Sequence, residues 1–262
     1  MRKLLLFFLI LPAVSLAVVT FERNWEWYGS NCGYTVEQTT DGGYILGASV
    51  HSDTWVYCVA LIKTDSLGET LWTRLFGPDN QGGWACRTKD GGYTITGEKF
   101  DTLNITWDDV IVIKTDSLGD SLWAFEYRGP GEDWPRAVDA TDDDGLVITG
   151  TFSDDTSWNC GLIKLDKNGA LSWIRIYPLG IQEAVGGAGV EQTADHGYVV
   201  CGVEPPEPPG DTYTIHLLKT DPLGNTLWSR RYHIGPRGRA TVMGVRQTPD
   251  RGYILTGDAW FL

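Results

Sequence analysis

Four aromatic residues of the sequence share a local pattern, because each follows Asp or Asn and Thr or Ser: Trp55, Trp107, Trp158 and Tyr213. A ring flanked by carboxylate and hydroxyl groups is suited to stack on a sugar while its polar neighbours bind the sugar hydroxyls. Trp84 and Trp134, in other segments, are further ligand candidates. All six rings would serve equally well as packing over a sheet edge, so ligand contact and packing are both open.

Acidic side chains near these rings offer a second chemistry. They are Glu132, Asp133, Asp154, Asp155 and Asp211. Two carboxyl groups at a set separation can hydrolyse a glycosidic bond by acid–base catalysis, although solvation of an acidic surface explains such residues as well. The four histidines share no motif with Ser, Cys or Asp, so nucleophilic catalysis has no support. Neither a metal site nor a cofactor is predicted.

These candidates are embedded in a repeat. It begins with Asp-Gly-Gly-Tyr-like phrases at Asp41, Asp90, Asp143, Asp195 and Asp250, which are 49 to 55 residues apart. In the first four units a hydrophobic run ending in Lys-x-Asp follows, and then a glycine with a tryptophan four residues later. Such regular spacing indicates a repeat architecture.

Each unit is predicted to contain four antiparallel strands, named A to D in chain order. The Asp-Gly-Gly turn joins strand A to strand B, as between residues 35–39 and 44–48, because glycine adopts the positive φ of tight hairpins. Strand C is a continuous apolar run, such as residues 110–113, and this is typical of burial on both faces. Radially stacked four-stranded blades fit this pattern, so the predicted fold class is an all-β propeller.

Two series of residues are predicted to be structural. The tryptophans of strand D would anchor the interfaces between blades: Trp72, Trp123, Trp173 and Trp228. The aspartates of Lys-x-Asp would cap the C–D turn by accepting bonds from backbone N–H groups: Asp65, Asp116, Asp166 and Asp221. The opposite face carries the long, variable B–C and D–A loops, so ligand binding is expected there, with Trp84 and Trp134 in D–A loops near the axis.

The repeat units cover residues 30–77, 78–129, 130–180 and 181–235, with a partial unit at 236–262. Residues 20–29 resemble a strand D, and with the partial unit they would build a fifth blade split between the two ends. Residues 18–262 are therefore predicted to be one five-bladed propeller domain. The alternative is a fragment of a larger propeller.

Residues 1–17 have two basic residues, an apolar stretch and small residues at the end, which predicts a secretory signal peptide. The remaining chain would be secreted, periplasmic or on the cell surface, and no later stretch approaches the ~20 apolar residues that span a membrane. With 34 acidic and 19 basic residues after the signal, nucleic acid is an unfavourable partner. The five cysteines lack metal-binding spacing, and one or two disulfides remain open.

The combination of Asp-Gly-Gly-Tyr, Lys-Thr-Asp and Leu-Trp resembles secreted bacterial β-propeller repeats of the form DGGYILTG…LIKTDSLGDTLW, over nearly all of the chain after residue 17. The resemblance implies the architecture and brings no set of catalytic residues. A weaker similarity to quinoprotein-like propellers lies in the Asp, Gly and Trp of the outer hairpin. Here that turn is one residue shorter and the vicinal cysteine pair is absent, so no quinone cofactor is implied.

These patterns favour a non-catalytic exported propeller that binds a glycan or an extracellular protein through its variable face. Two other functions stay open. One is a polysaccharide-active glycoside hydrolase with paired carboxylates in the central funnel, and the other is a structural blade array of a larger cell-surface protein.

Overall fold

The computed structural model describes residues 31–51, 57–101, 106–153, 157–181, 187–204, 213–233 and 238–261. In these ranges the chain forms eighteen β-strands, β1 to β18, joined by turns. No helix in these ranges has the length and hydropathy needed to cross a membrane. The signal peptide predicted at residues 1–17 and the strand predicted at residues 20–29 lie outside the described residues.

The strands form four sheets of four strands and one sheet of two. The first sheet contains β1 (Cys32–Gln38), β2 (Tyr44–His51), β3 (Tyr57–Thr64) and β4 (Thr70–Phe76). The second contains β5 (Asn80–Arg87), β6 (Tyr93–Asp101), β7 (Thr106–Thr115) and β8 (Ser121–Arg128). The third contains β9 (Asp133–Ala140), β10 (Leu146–Ser153), β11 (Trp158–Leu165) and β12 (Leu171–Ile181).

The fourth sheet contains β13 (Gly187–Gln192), β14 (Tyr198–Glu204), β15 (Thr214–Thr220) and β16 (Thr226–His233). The fifth contains β17 (Gly238–Gln247) and β18 (Tyr253–Phe261). Within every sheet each strand pairs antiparallel with its neighbour in sequence, so each sheet is a simple meander. The strands extend one to several residues beyond the predicted runs, since the hairpin ladders continue past the buried core.

The hydrophobic core is divided among the interfaces between consecutive sheets. At the first interface, Val59 and Leu61 of β3 pack against Ile95 of β6 and Ile113 of β7. Similar clusters join the second sheet to the third, the third to the fourth and the fourth to the fifth. Strand C is therefore buried on both faces, which is why its sequence shows no polar alternation.

The first strands of all five sheets line a central cavity of about 690 Å³. Antiparallel meanders packed face to face around a shared axis are a multi-blade β-propeller, so the predicted fold class is confirmed. Four blades are complete in the described residues, and the fifth sheet has only its first two strands.

The Asp-Gly-Gly-Tyr and Lys-x-Asp phrases meet in each complete blade. The lysines are almost fully buried, and each ammonium group lies 2.8–2.9 Å from the aspartate of the A–B turn: Lys63–Asp41, Lys114–Asp90, Lys164–Asp143 and Lys219–Asp195. Each lysine Nζ also donates to the backbone carbonyl of the next residue at 2.7–2.8 Å. The lysine thus ties the A–B turn to strand C.

The strand D tryptophans lie between adjacent sheets. Trp72 contacts Tyr93 of the next sheet with ring centroids 5.8 Å apart, and Trp173 and Trp228 contact Tyr198 and Tyr253 in the same way. Trp123 packs against the core cluster between the second and third sheets. All four rings therefore lie at interfaces between consecutive sheets.

The aspartates of the C–D turns accept backbone hydrogen bonds. Asp65 Oδ1 accepts from the N–H groups of Leu67 and Glu69, each at 2.9 Å. Asp116, Asp166 and Asp221 make the equivalent pairs of bonds. The five cysteines, all in the described ranges, are free thiols, so the disulfides left open by the sequence are not formed here.

Candidate functional site

A row of aromatic rings from three blades lies along one end of the central cavity. Tyr34 and Trp84 have ring centroids 4.5 Å apart, and Trp134 and Trp158 have centroids 4.6 Å apart. Arg136 joins the two pairs, with its Cζ 5.5 Å from the Trp84 ring centroid and 5.6 Å from that of Trp134. These five residues are called the aromatic row. The guanidinium group holds the two tryptophans in fixed relation by cation–π attraction.

A second cavity of about 350 Å³ opens beside the aromatic row and adjoins the central cavity. Tyr34, Trp134 and Arg136 line it together with Glu98 and Glu132. A cavity of this size, lined by two aromatic rings and several polar groups, is large enough to hold a small ligand.

A local backbone irregularity sets the direction of Trp84. The pairing of β5 with β6 shifts between Gln81 and Trp84, where Gly82 has φ of 86°. A Cβ at Gly82 would lie 2.6 Å from the Trp84 ring, so the glycine leaves room for it. The expectation that both tryptophans lie in D–A loops is wrong, because the inner strands β5 and β9 begin earlier and include them.

Two carboxyl groups in the second cavity have unlike surroundings. The Glu98 side chain is 13% exposed and lies 3.8 Å from Arg136 Nη1. Burial raises the pKa of Glu98 above its usual value, Arg136 opposes this, and the charge of Glu132 adds to the rise. Glu132 lies in the turn before β9 and is partly exposed. The pair therefore offers one buried carboxyl group with a raised pKa beside one that is open to solvent.

Not all of the sequence candidates meet at this site. Trp158 joins the aromatic row, whereas Tyr213 packs on the core between the fourth and fifth sheets. Trp55 lies outside the described residues, as do Asp154, Asp155 and Asp211, and for Trp107 only the backbone is described. Asp133 is fully buried and its Oδ2 accepts a bond from the Gly129 N–H at 2.7 Å, which holds the D–A turn.

Tyr34, Arg136 and Glu98 were not predicted as site residues. Tyr34 and Arg136 stand seven residues before the aspartate of their A–B turns, so the repeat register places them at equivalent positions near the axis. This shared repeat position is the sequence signal that could have identified Tyr34 and Arg136 as site residues. The contact between Glu98 and Arg136 joins different blades and leaves no trace in local sequence.

A ring of ionisable groups lies at the other end of the inner strands. Glu37, Asp139 and Glu191 each accept a bond from a backbone N–H of the next blade, from Arg87, Gln192 and Gln247 respectively. These hydrogen bonds connect the inner strands of consecutive blades. Burial raises the pKa of Asp139 to about 6, the Gln192 N–H and Arg246 oppose this, and the charges of Glu191 and Glu37 add to it.

The Asp139→Asn variant is expected to flatten the pH dependence of stability. Because the folded pKa of about 6 exceeds the ordinary 3.8, this group destabilises the fold progressively as pH rises between those values. The amide still accepts the Gln192 bond but carries no charge, so the variant should gain about 3 kcal/mol at pH 7 and almost nothing at pH 3.5. Urea unfolding at a series of pH values measures this difference, and an equal effect at both pH values would contradict it.

Solved structures resemble this fold at low sequence identity. A protein of unknown function from Dyadobacter fermentans aligns over 86% of this chain and 74% of its own, with 15% identity and a TM-score of 0.55. The mannose phosphorylase MPT-4 from Leishmania mexicana, solved in complex with phosphate ion, aligns over 90% and 85%, with 14% identity and a TM-score of 0.50. The likeness is one of fold alone.

No protein-family model and no curated protein matches the sequence. Membership of the secreted bacterial repeat family therefore stays a prediction from the motifs.

Proposed function

We propose that this protein is an exported, non-catalytic propeller that binds a glycan on the aromatic row. The observation that carries the proposal is the row itself, in which three blades bring four rings together and two of these rings, Tyr34 and Trp134, line a cavity of about 350 Å³. Ring faces stack on the apolar faces of sugars, and Glu98, Glu132 and Arg136 supply acceptors and donors for hydroxyl groups. Export is inferred from the signal-like residues 1–17.

The charge of the protein narrows the glycan class. The chain has a formal net charge of −13, and two of the polar groups lining the site are carboxylates. Polyanionic glycans would be repelled by both the overall field and the site. The expected ligands are therefore neutral oligosaccharides.

Substitutions in the aromatic row test this function. Trp84→Ala and Trp134→Ala should each weaken binding of a neutral oligosaccharide about tenfold or more, because each removes a stacking face. Tyr232→Ala is the control, since this ring is 46% exposed on β16 and lies outside the row. A glycan array identifies the ligand and titration calorimetry gives its affinity. Absence of binding to every glycan on the array contradicts the proposal. A protein with a purely structural role would give that result.

The pair of Glu98 and Glu132 favours glycoside hydrolysis as a second candidate function. A protonated Glu98 would give its proton to the glycosidic oxygen, while Glu132 would assist water at the anomeric carbon or attack that carbon itself. The similarity to the mannose phosphorylase shows the fold alone and transfers no catalytic residue.

Hydrolysis is tested by the release of reducing sugar from neutral polysaccharides. If this function holds, Glu98→Gln and Glu132→Gln each abolish turnover while binding persists. If the wild-type protein binds a glycan and releases no reducing sugar, the non-catalytic function stands.

A further inference from the structure

The central cavity has a second polar end, opposite the aromatic row. Each sheet contributes one side chain to it, from the position four residues before the aspartate of the A–B turn: Glu37, Cys86, Asp139, Glu191 and Arg246. Glu37, Asp139 and Arg246 are among the residues that line the cavity itself. The proposed glycan site uses none of these groups.

Asp139 is the carboxylate at this end that lacks a counter-charge. Glu37 pairs with Arg87, whose Nε lies 3.0 Å from Glu37 Oε1, and Glu191 Oε1 lies 3.9 Å from Arg246 Nε. Asp139 accepts a hydrogen bond from a backbone N–H at 3.0 Å. In the part of the chain that the structure describes, no lysine or arginine forms an ion pair with it. Its negative charge is balanced only from a distance, by Arg246.

The surroundings of Asp139 make this charge costly. Burial raises the pKa of Asp139 to about 6, and the nearby charges of Glu191 and Glu37 add to the rise. Cys86, on the preceding blade, brings no charge, because burial raises the pKa of its thiol well above the usual value. A cation beside Asp139 would supply the missing counter-charge, so the binding of one is favourable.

The wall of the cavity next to Asp139 is apolar. The residues one position before the polar end all line the cavity: Val36, Ala85, Val138, Val190 and Val245. An organic ion gains contact with this wall, whereas a hydrated metal ion does not. The cavity volume of about 690 Å³ lies in the range of small-molecule sites.

We propose that the central cavity binds a small organic cation. Its ammonium or guanidinium group pairs with Asp139, and its apolar body lies against the wall of valine and alanine side chains. The formal net charge of −13 attracts such a cation to the protein. This site is additional to the glycan site and does not depend on it.

Two probes of nearly the same shape test the site with the full chain. Hexylamine carries an ammonium group and hexanol is neutral, and titration calorimetry measures the affinity of each. At pH 7 we expect hexylamine to bind about tenfold more tightly or better, because only the amine pairs with the carboxylate. Hexylamine should bind about tenfold more weakly at pH 5, where Asp139 is mostly protonated while the amine keeps its charge.

The variant Asp139→Asn should lower the affinity for hexylamine to that for hexanol and leave hexanol binding unchanged. Because this variant is expected to be more stable than the wild type, weaker binding would not reflect unfolding. Asp144→Asn is the matched control, since it removes an exposed carboxylate from the A–B turn of the same sheet. Asp144 has φ of 63°, which asparagine tolerates.

Three results would overturn the proposal. One is hexylamine binding no tighter than hexanol at pH 7, or no binding of either probe at millimolar concentration. Another is unchanged hexylamine affinity in Asp139→Asn. The third is an equal loss of affinity in Asp144→Asn, which would assign the effect to the overall negative field of the protein.

Discussion

Gly92→Ala should lower the free energy of unfolding by about 3 kcal/mol or more, because the added methyl group overpacks the A–B turn against β7. A Cβ at Gly92 would lie 2.1 Å from the Thr115 carbonyl oxygen and 2.6 Å from Lys114 Nζ. Because the carbonyl belongs to a central strand, it cannot move without shifting β7. The lysine would also be displaced from Asp90.

The fifth sheet supplies the control for this substitution. Gly252 occupies the same position in the repeat, but its added Cβ would meet only side-chain oxygens, of Thr248 at 2.9 Å and Asp250 at 3.2 Å. Gly252→Ala should therefore be much milder than Gly92→Ala. Guanidinium unfolding of both variants measures the contrast, and similar losses would show that the close approach of strand C is not the cause.

Asp195→Ala should lower the free energy of unfolding by about 2–3 kcal/mol, because it leaves the Lys219 ammonium group buried without its counter-charge. The lysine side chain is 4% exposed, whereas that of Asp195 is 59% exposed. Solvent therefore screens the aspartate but not the lysine, and the estimate lies below that for a fully buried pair. Adding Lys219→Met should recover most of the loss, since the uncompensated charge is then gone.

The pH dependence of this variant distinguishes the ion pair from simple packing. Partial burial raises the pKa of Asp195, but bonds from Thr193, Lys219 and the Gly197 N–H outweigh it and lower the pKa to about 2. The stabilising contribution is therefore complete above the ordinary carboxylate pKa and is lost as pH falls towards 2. The deficit of Asp195→Ala should shrink in acid.

Asp250→Ala is the matched control for the ion pair. It removes the same two turn hydrogen bonds, from Thr248 and Gly252. No described lysine pairs with Asp250, so no buried ammonium group loses its counter-charge. Its loss of stability should be smaller and should change less with pH. Equal losses for Asp195→Ala and Asp250→Ala at neutral pH would assign the effect to the turn alone.

Local regularities of the sequence were enough to predict the blades. The apolar runs around Val110 and the glycine turns at 49- to 55-residue spacing fix strand type and hairpin position, because each depends on residues close together in the chain. The tryptophan and aspartate series followed from the same periodicity. The structural role of Lys114 and its equivalents was not predicted from this periodicity. A buried lysine can be recognised only when the aspartate that pairs with it is known.

The candidate site, in contrast to the blades, could not be assembled from local sequence patterns. Trp84, Trp134 and Trp158 stood out in the sequence as rings in predicted loops of the variable face. Their assembly around Arg136, and the placement of Glu98 beside it, depend on contacts between residues of different blades. Such contacts are set by how the sheets pack around the axis, which no local pattern encodes.

Local sequence patterns thus specify the repeat, its four strands and its turn chemistry, because hydrogen-bonded hairpins and the burial pattern of each strand depend on residues close together in the chain. Packing between blades and between strands determines which rings share one surface and why four turn glycines leave no room for a side chain: Gly43, Gly92, Gly145 and Gly197. Those properties arise where separate blades or strands approach each other, and their physical origin is close packing between segments that are distant along the chain.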